Sequence, residues 1–221
     1  MLHLFTVLVP ILLADIVNPV LFAFMVYAAG TDRPVSNSIA ALLGHTAAYL
    51  SFGIGLALAF DIIMDRLANP EPIDYVLSLL IGTLLLWAAW GVRGDKQQQT
   101  APNVEQLTPL KAFGIGAIIN IVGLPFALPY FAALDQILKA DLTVADSALV
   151  IIGYNIGYAL PFLVVPLLAI AMGERSRPVL ARINDKVDRV SAFLMPFILA
   201  IVGIALVIDA ISYLATGESL F

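Results

Sequence analysis

The chain has 221 residues, of which 61% are apolar and only 12% charged, and its mean hydropathy is +0.98. No water-soluble domain covers its own surface at that balance, and at roughly 35 residues per pass the length suits about six membrane crossings and no sizeable soluble domain. The absence of cysteine removes thiol relays, disulfide frameworks, iron-sulfur clusters and cysteine zinc sites, and the formal charge of -5 argues against nucleic acid as a partner.

In chain order, apolar stretches long enough to span cover residues 2–29, 38–60, 75–92, 110–138, 148–172 and 190–215. The first is kept as a span rather than a cleaved signal, because Met1-Leu2-His3-Leu4 has no basic start and Asp15 interrupts the run. Pro10, Pro19, Pro125, Pro129, Pro161 and Pro166 lie inside these stretches. A bilayer tolerates such breaks only against protein or a cavity, so spans one, four and five are predicted to be kinked or discontinuous.

Lysine and arginine sort by loop. Arg33 follows span one; Arg93, Lys96 and Lys111 flank the connection after span three; Arg175, Arg177, Arg182, Lys186 and Arg189 lie between spans five and six. The opposite loops carry only Arg66 and Lys139. The positive-inside rule then makes the odd-numbered loops cytoplasmic and both termini extracytoplasmic. Trp87 and Trp90 fall where lipid-anchoring aromatics belong, and the acidic Asp61, Asp65, Glu71, Asp74, Asp135, Asp141 and Asp146 fall on the outer face.

Residues 94–109 are polar and glutamine-rich, a linker between a first half, 1–93, and a second, 110–221. Residues 175–189 set Val179, Leu180, Ile183 and Val187 on one stripe among basic residues, as an amphipathic segment on the inner leaflet or as a solvated charge run would. The halves share a pattern. Gly44-His45-Thr46-Ala47-Ala48-Tyr49 in span two matches Gly153-Tyr154-Asn155-Ile156-Gly157-Tyr158 in span five, and Pro19 through Tyr27-Ala28-Ala29 matches Pro125 through Tyr130-Phe131-Ala132-Ala133. Three crossings per copy force the second copy to enter from the opposite side. The predicted fold is therefore an all-α integral membrane protein of six transmembrane helices in two inverted three-helix repeats, with helices one and four broken near the midplane.

Asp15 lies about 20 Å along span one at about 1.5 Å per residue, near the bilayer centre, where a carboxyl costs at least ~2.5 kcal/mol unless paired or hydrated. Asn18 shares its face, and the Pro19 break frees backbone groups. Asp15 is either part of a polar site or a protonated carboxyl joining helices. His45 is the histidine within the membrane core; it suits a proton relay with Asp15, a buried neutral imidazole or, third, direct metal coordination with Asp15. In the second half Asn120, Tyr154, Asn155 and Tyr158 supply neutral donors and acceptors around Pro125 and Pro129, as ligand contacts or as packing. Thr46 completes the candidate set. No catalytic motif is present, so no enzyme activity and no resident cofactor are expected.

The six-span plan, with Asp15-Ile16-Val17-Asn18-Pro19 in span one and Gly44-His45 in span two, resembles the LysE superfamily, most of all its GAP (Sap) and cadmium-resistance branches. The layout is also similar to the CcdA and DsbD membrane domains, without the cysteine each half of those carries. The resemblance implies export or exchange of a small solute across a bacterial plasma membrane, with basic amino acids, divalent metals or envelope lipids as the cargo of different members. The expectation is a proton-coupled secondary transporter, an exporter working by alternating access; the alternatives are a divalent-cation exporter using Asp15, Asn18 and His45, or a noncatalytic scaffold for envelope-lipid assembly. The expected partners are a small-molecule or ion substrate and the bilayer, with homo-oligomerisation left open.

Overall fold

The computed structural model describes residues 2–59, 62, 71–91, 107–124, 127–140, 142–218 and 220. Pro125, Arg66, Arg93, Lys96, Asp61, Asp65, Asp141 and residues 94–106 of the predicted linker lie outside them. The described residues form helices and short connections: α1 (Leu2–Asp15), α2 (Pro19–Ala29), α3 (Pro34–Leu58), α4 (Pro72–Gly91), α5 (Pro109–Gly123), α6 (Leu128–Leu138), α7 (Val144–Ala159), α8 (Val164–Met172) and α9 (Ser176–Thr216).

Proline starts several of these helices. Pro19, Pro34, Pro72 and Pro109 each occupy the first helical position, where the missing N–H has no intrahelical partner to lose and the fixed φ is already helical. Side-chain caps add to this: Asn18 Oδ1 accepts from Leu21 N at 2.9 Å, Thr108 Oγ1 from Lys111 N at 3.3 Å and Thr143 Oγ1 from Asp146 N at 3.1 Å. Three breaks are observed in the three spans that carry the prolines. α1 and α2 are bent by 58°, α5 and α6 by 79°, and residues Leu160–Leu163 form a 3-10 turn between α7 and α8. Pro10 sits within α1 without ending it.

Four described stretches, Pro34–Leu58, Pro72–Gly91, Val144–Val190 and Pro196–Thr216, are long and apolar enough to cross a membrane, and the number rises to six if each bent pair is one span. The chain is an all-helical, multi-pass membrane protein.

The helices gather into two compact units, residues 1–60 with 100–188 and residues 61–99 with 189–221. Each unit takes helices from both halves of the sequence, so compactness does not follow the division at residues 94–109. In the second unit α4 and the later part of α9 approach at Gly82 and Gly203, where a Cβ on either would press on the other's carbonyl, and Tyr75 stacks on Tyr213 with ring centroids 3.6 Å apart. Trp87 and Trp90 are exposed, as lipid anchors require.

The first unit holds the core. Its closest approach is between α3 and α5, where a Cβ at Gly44 would run into the Phe113 backbone and one at Gly116 into the Ala41 backbone. Burial recurs at one constant offset between the halves, which sets Tyr130 against Leu21 rather than Tyr27 and so corrects the match of spans one and four read from sequence. The offset that carries Leu21 onto Tyr130 also pairs Phe24 with Ala133, Met25 with Leu134 and Ala28 with Ile137 between α2 and α6. It likewise pairs Ser38 with Ser147, Leu42 with Ile151, His45 with Tyr154 and Tyr49 with Tyr158 between α3 and α7. Every residue named is buried. The start of α9 docks on this core: Leu180 is buried in it, and Ile183 and Val187 pack against it. The apolar stripe of the basic segment is thus used by protein contacts, which amends both readings of it from sequence.

Candidate functional site

The bend after α1 leaves Asp15 at a helix end inside the core, where its carboxylate collects hydroxyls from two other helices. Tyr49 of α3 donates to Oδ1 at 2.9 Å and lies 3.0 Å from Oδ2, and Tyr154 of α7 donates to Oδ2 at 3.0 Å. Both tyrosines project from the buried faces of their helices, and both are themselves buried. Charge-assisted bonds of this kind offset the cost of placing a carboxyl in an apolar medium, and they need no basic partner.

The network continues outward. Tyr130 of α6 stacks on Tyr49 with centroids 3.8 Å apart and donates its hydroxyl to the Tyr49 carbonyl at 3.0 Å. Gly53 makes that contact possible, since a Cβ there would occupy the place of the Tyr130 hydroxyl. Asn155 Nδ2 donates to Tyr130 Oη at 3.0 Å and to the Ile151 carbonyl at 2.9 Å. Asn18, besides capping α2, donates to Tyr158 Oη at 3.0 Å. Its two ends therefore fix the helix break and tie it to α7.

His45 stands at the edge of this cluster. Its ring lies nearly parallel to Tyr158, with centroids 5.6 Å apart and planes at 9°, and it leans on Tyr49 at the same separation. Its Nε2 is 3.4 Å from Asn120 Nδ2 of α5, and its Nδ1 finds no hydrogen-bond partner among the described residues. Thr46 Oγ1, Asn120 Oδ1 and Asn155 Oδ1 are also buried without a partner among the described residues. In a packed core such orphans are rare, and they mark places where water or a ligand atom completes the bonding.

Of the residues expected from sequence, Asp15, Asn18, His45, Asn120, Tyr154, Asn155 and Tyr158 belong to this connected network. Pro19 opens α2 beside it, Thr46 contributes an orphan hydroxyl, and Pro125 is outside the described residues. Asp15 and His45 do not bond to each other; Tyr49 stands between them, bonded to one and in ring contact with the other. Among the described residues no three metal-ligating side chains gather. Tyr49 and Tyr130 are not among the candidates from sequence, although Tyr49 and Tyr158 hold equivalent places in the pattern that the two halves share.

A multi-pass helical membrane protein with a buried carboxylate-tyrosine centre is the class that fold and site define. Residues 8–212 match the family model SfLAP, described as Sap, sulfolipid-1-addressing protein, and the chain belongs to this family. No curated protein and no solved structure matches it. The family agrees with the Sap branch that the residue pattern resembles.

Proposed function

We propose that the protein is a secondary transporter that moves a small solute across the membrane, with Asp15 carrying the coupling proton. The observation that carries this reading is a carboxylate inside a membrane core whose bonded partners are two tyrosine hydroxyls from different helices. An ionisable group placed there is costly, and such groups mark ion and proton routes. Hydroxyls suit a group that changes protonation, because an O–H that donates to a carboxylate turns to accept from a carboxylic acid. The break between α1 and α2 supplies irregular backbone beside Asp15, as transporter binding sites do. The six-span inverted-repeat plan and the LysE-superfamily resemblance support the same reading.

The test is flux. Purified protein in vesicles, given an imposed pH gradient and a panel of candidate solutes, acidifies or alkalinises the lumen only when a solute moves with or against protons. No solute-dependent proton movement, together with wild-type function in cells carrying Asp15→Asn, defeats the proposal.

A second reading is favoured by the family description, which concerns the addressing of a lipid. On that reading the chain is a noncatalytic membrane scaffold in envelope-lipid assembly, and the Asp15 network is helix-joining structure. Cells lacking the protein would then mislocalise a lipid while Asp15→Asn restores its placement.

A further inference from the structure

The end of α2 and the start of α9 border a cavity that none of the residues of the Asp15 network lines. Both segments leave the apolar part of the chain there, Ala29-Gly30 leading into Thr31-Asp32-Arg33 and Met172-Gly173 into Glu174-Arg175. Gly173 has a φ of 52°, a conformation that glycine adopts freely, and Ser176 Oγ donates to its carbonyl at 2.6 Å. This turn takes the chain from α8 into α9 and sets Arg177 against α2.

The cavity measures about 260 Å³ and is lined by Val26, Tyr27, Ala29, Gly30, Arg177 and Leu180. Its walls are largely apolar, and its charge is one guanidinium. Arg177 Nη2 donates to the Gly30 carbonyl at 3.3 Å and to Glu174 Oε1 at 3.0 Å. The first bond anchors the guanidinium at the end of α2. Both bonds use a single nitrogen, so the N–H groups on Nη1 and Nε have no partner among the described residues.

We propose that this cavity binds one anionic phospholipid of the cytoplasmic leaflet, with the headgroup phosphate on Arg177 and the first part of an acyl chain against Val26, Ala29 and Leu180. A phosphate diester accepts the parallel bonds that a guanidinium fork offers, and the apolar walls cover the carbons attached to it. The surroundings select the charge of the headgroup. Residues 174–189 carry five basic side chains against three acidic ones, and loops of that kind face the anionic leaflet. A choline headgroup would set its own cation among them. The site is separate from the Asp15 centre and is compatible with either reading of the function.

The test is native mass spectrometry of the full chain in neutral detergent, titrated with phosphatidylglycerol or phosphatidylcholine. Phosphatidylglycerol should be retained about tenfold more tightly, the share of one charge-assisted contact. Arg177→Gln should remove that preference, while Arg182→Gln, exposed on the same helix, should keep it. Val26→Phe, which fills the cavity and leaves every charge in place, should weaken retention, and inorganic phosphate alone should not displace the lipid. Arg177 lies at the surface, so its variant tests the site should Val26→Phe fail to fold. Equal retention of the two lipids overturns the proposal, as does an equal loss in Arg177→Gln and Arg182→Gln, the mark of diffuse attraction to a basic surface. Wild-type retention by Val26→Phe, or displacement by inorganic phosphate, would leave only a free-anion site at Arg177 and overturn the lipid assignment.

Discussion

The Tyr49 hydroxyl lies within 3.0 Å of both oxygens of the Asp15 carboxylate, although the two residues are 34 positions apart. The pair joins the broken end of α1 to the middle of α3, and Tyr154 adds α7 to the same carboxylate. Three helices therefore share one titratable group, and the protonation of that group is felt by all of them.

Removing either hydroxyl leaves the other in place. Tyr49→Phe and Tyr154→Phe should each lower stability in detergent by about 1 kcal/mol, nearer the modest values of membrane hydrogen bonds than the larger ones for buried charged groups in water-soluble proteins. The double variant should cost more than the two single losses together, because it strands the carboxylate. Thermal unfolding of the four proteins closes the cycle, and strict additivity would show that the hydroxyls act independently of Asp15.

Asp15→Asn keeps the shape and the acceptor oxygen but cannot ionise. Insertion and helicity should be retained while proton-linked flux is lost, with any residual solute movement independent of pH. Flux with an unchanged pH profile would reduce Asp15 to a joint between helices.

Much of this centre was legible in the sequence. Asp15, Asn18 and Pro19 stand out because a carboxyl, an amide and a ring without an N–H are each expensive in an apolar span. The breaks in spans one, four and five followed from proline for the same reason. Tyr130 was harder to place, since an aromatic ring in a membrane helix is ordinarily packing, and its role depends on Gly53 leaving room on a helix far away in sequence. The pairing of His45 with Asn120 rather than Asp15 was equally hidden, because periodicity assigns a residue to a face but not to a neighbour. The two compact units draw on both halves, which no reading in chain order reveals.

The glycines of α3 separate close contact from mere permissiveness. Gly44→Ala places a Cβ on the Phe113 backbone and should cost about 1–3 kcal/mol as overpacking. Gly55→Ala on the same helix meets open space and should be neutral or stabilising by up to about 1 kcal/mol from helix propensity. Unfolding midpoints compare the two directly, and equal effects would mean that α3 and α5 do not touch as described.

Leu180 distinguishes a helix start held by protein from one held by lipid. It is buried in the core of the first unit, with Ile183 and Val187 packed beside it, while Arg182 on the same turn is exposed. Leu180→Ala should therefore leave a cavity and cost about 2–5 kcal/mol. Arg182→Ala, with no buried contact to lose, should stay within about 0.5 kcal/mol. The measurement is made in neutral detergent, where an anionic leaflet contributes nothing. If the apolar stripe served only to lie on the inner leaflet, Leu180→Ala would be silent there and would instead weaken binding of the isolated segment to anionic vesicles. A full stability loss in detergent places the stripe in the protein core and leaves the basic face of α9, with Arg182, Lys186 and Arg189 exposed, as the part that meets headgroups.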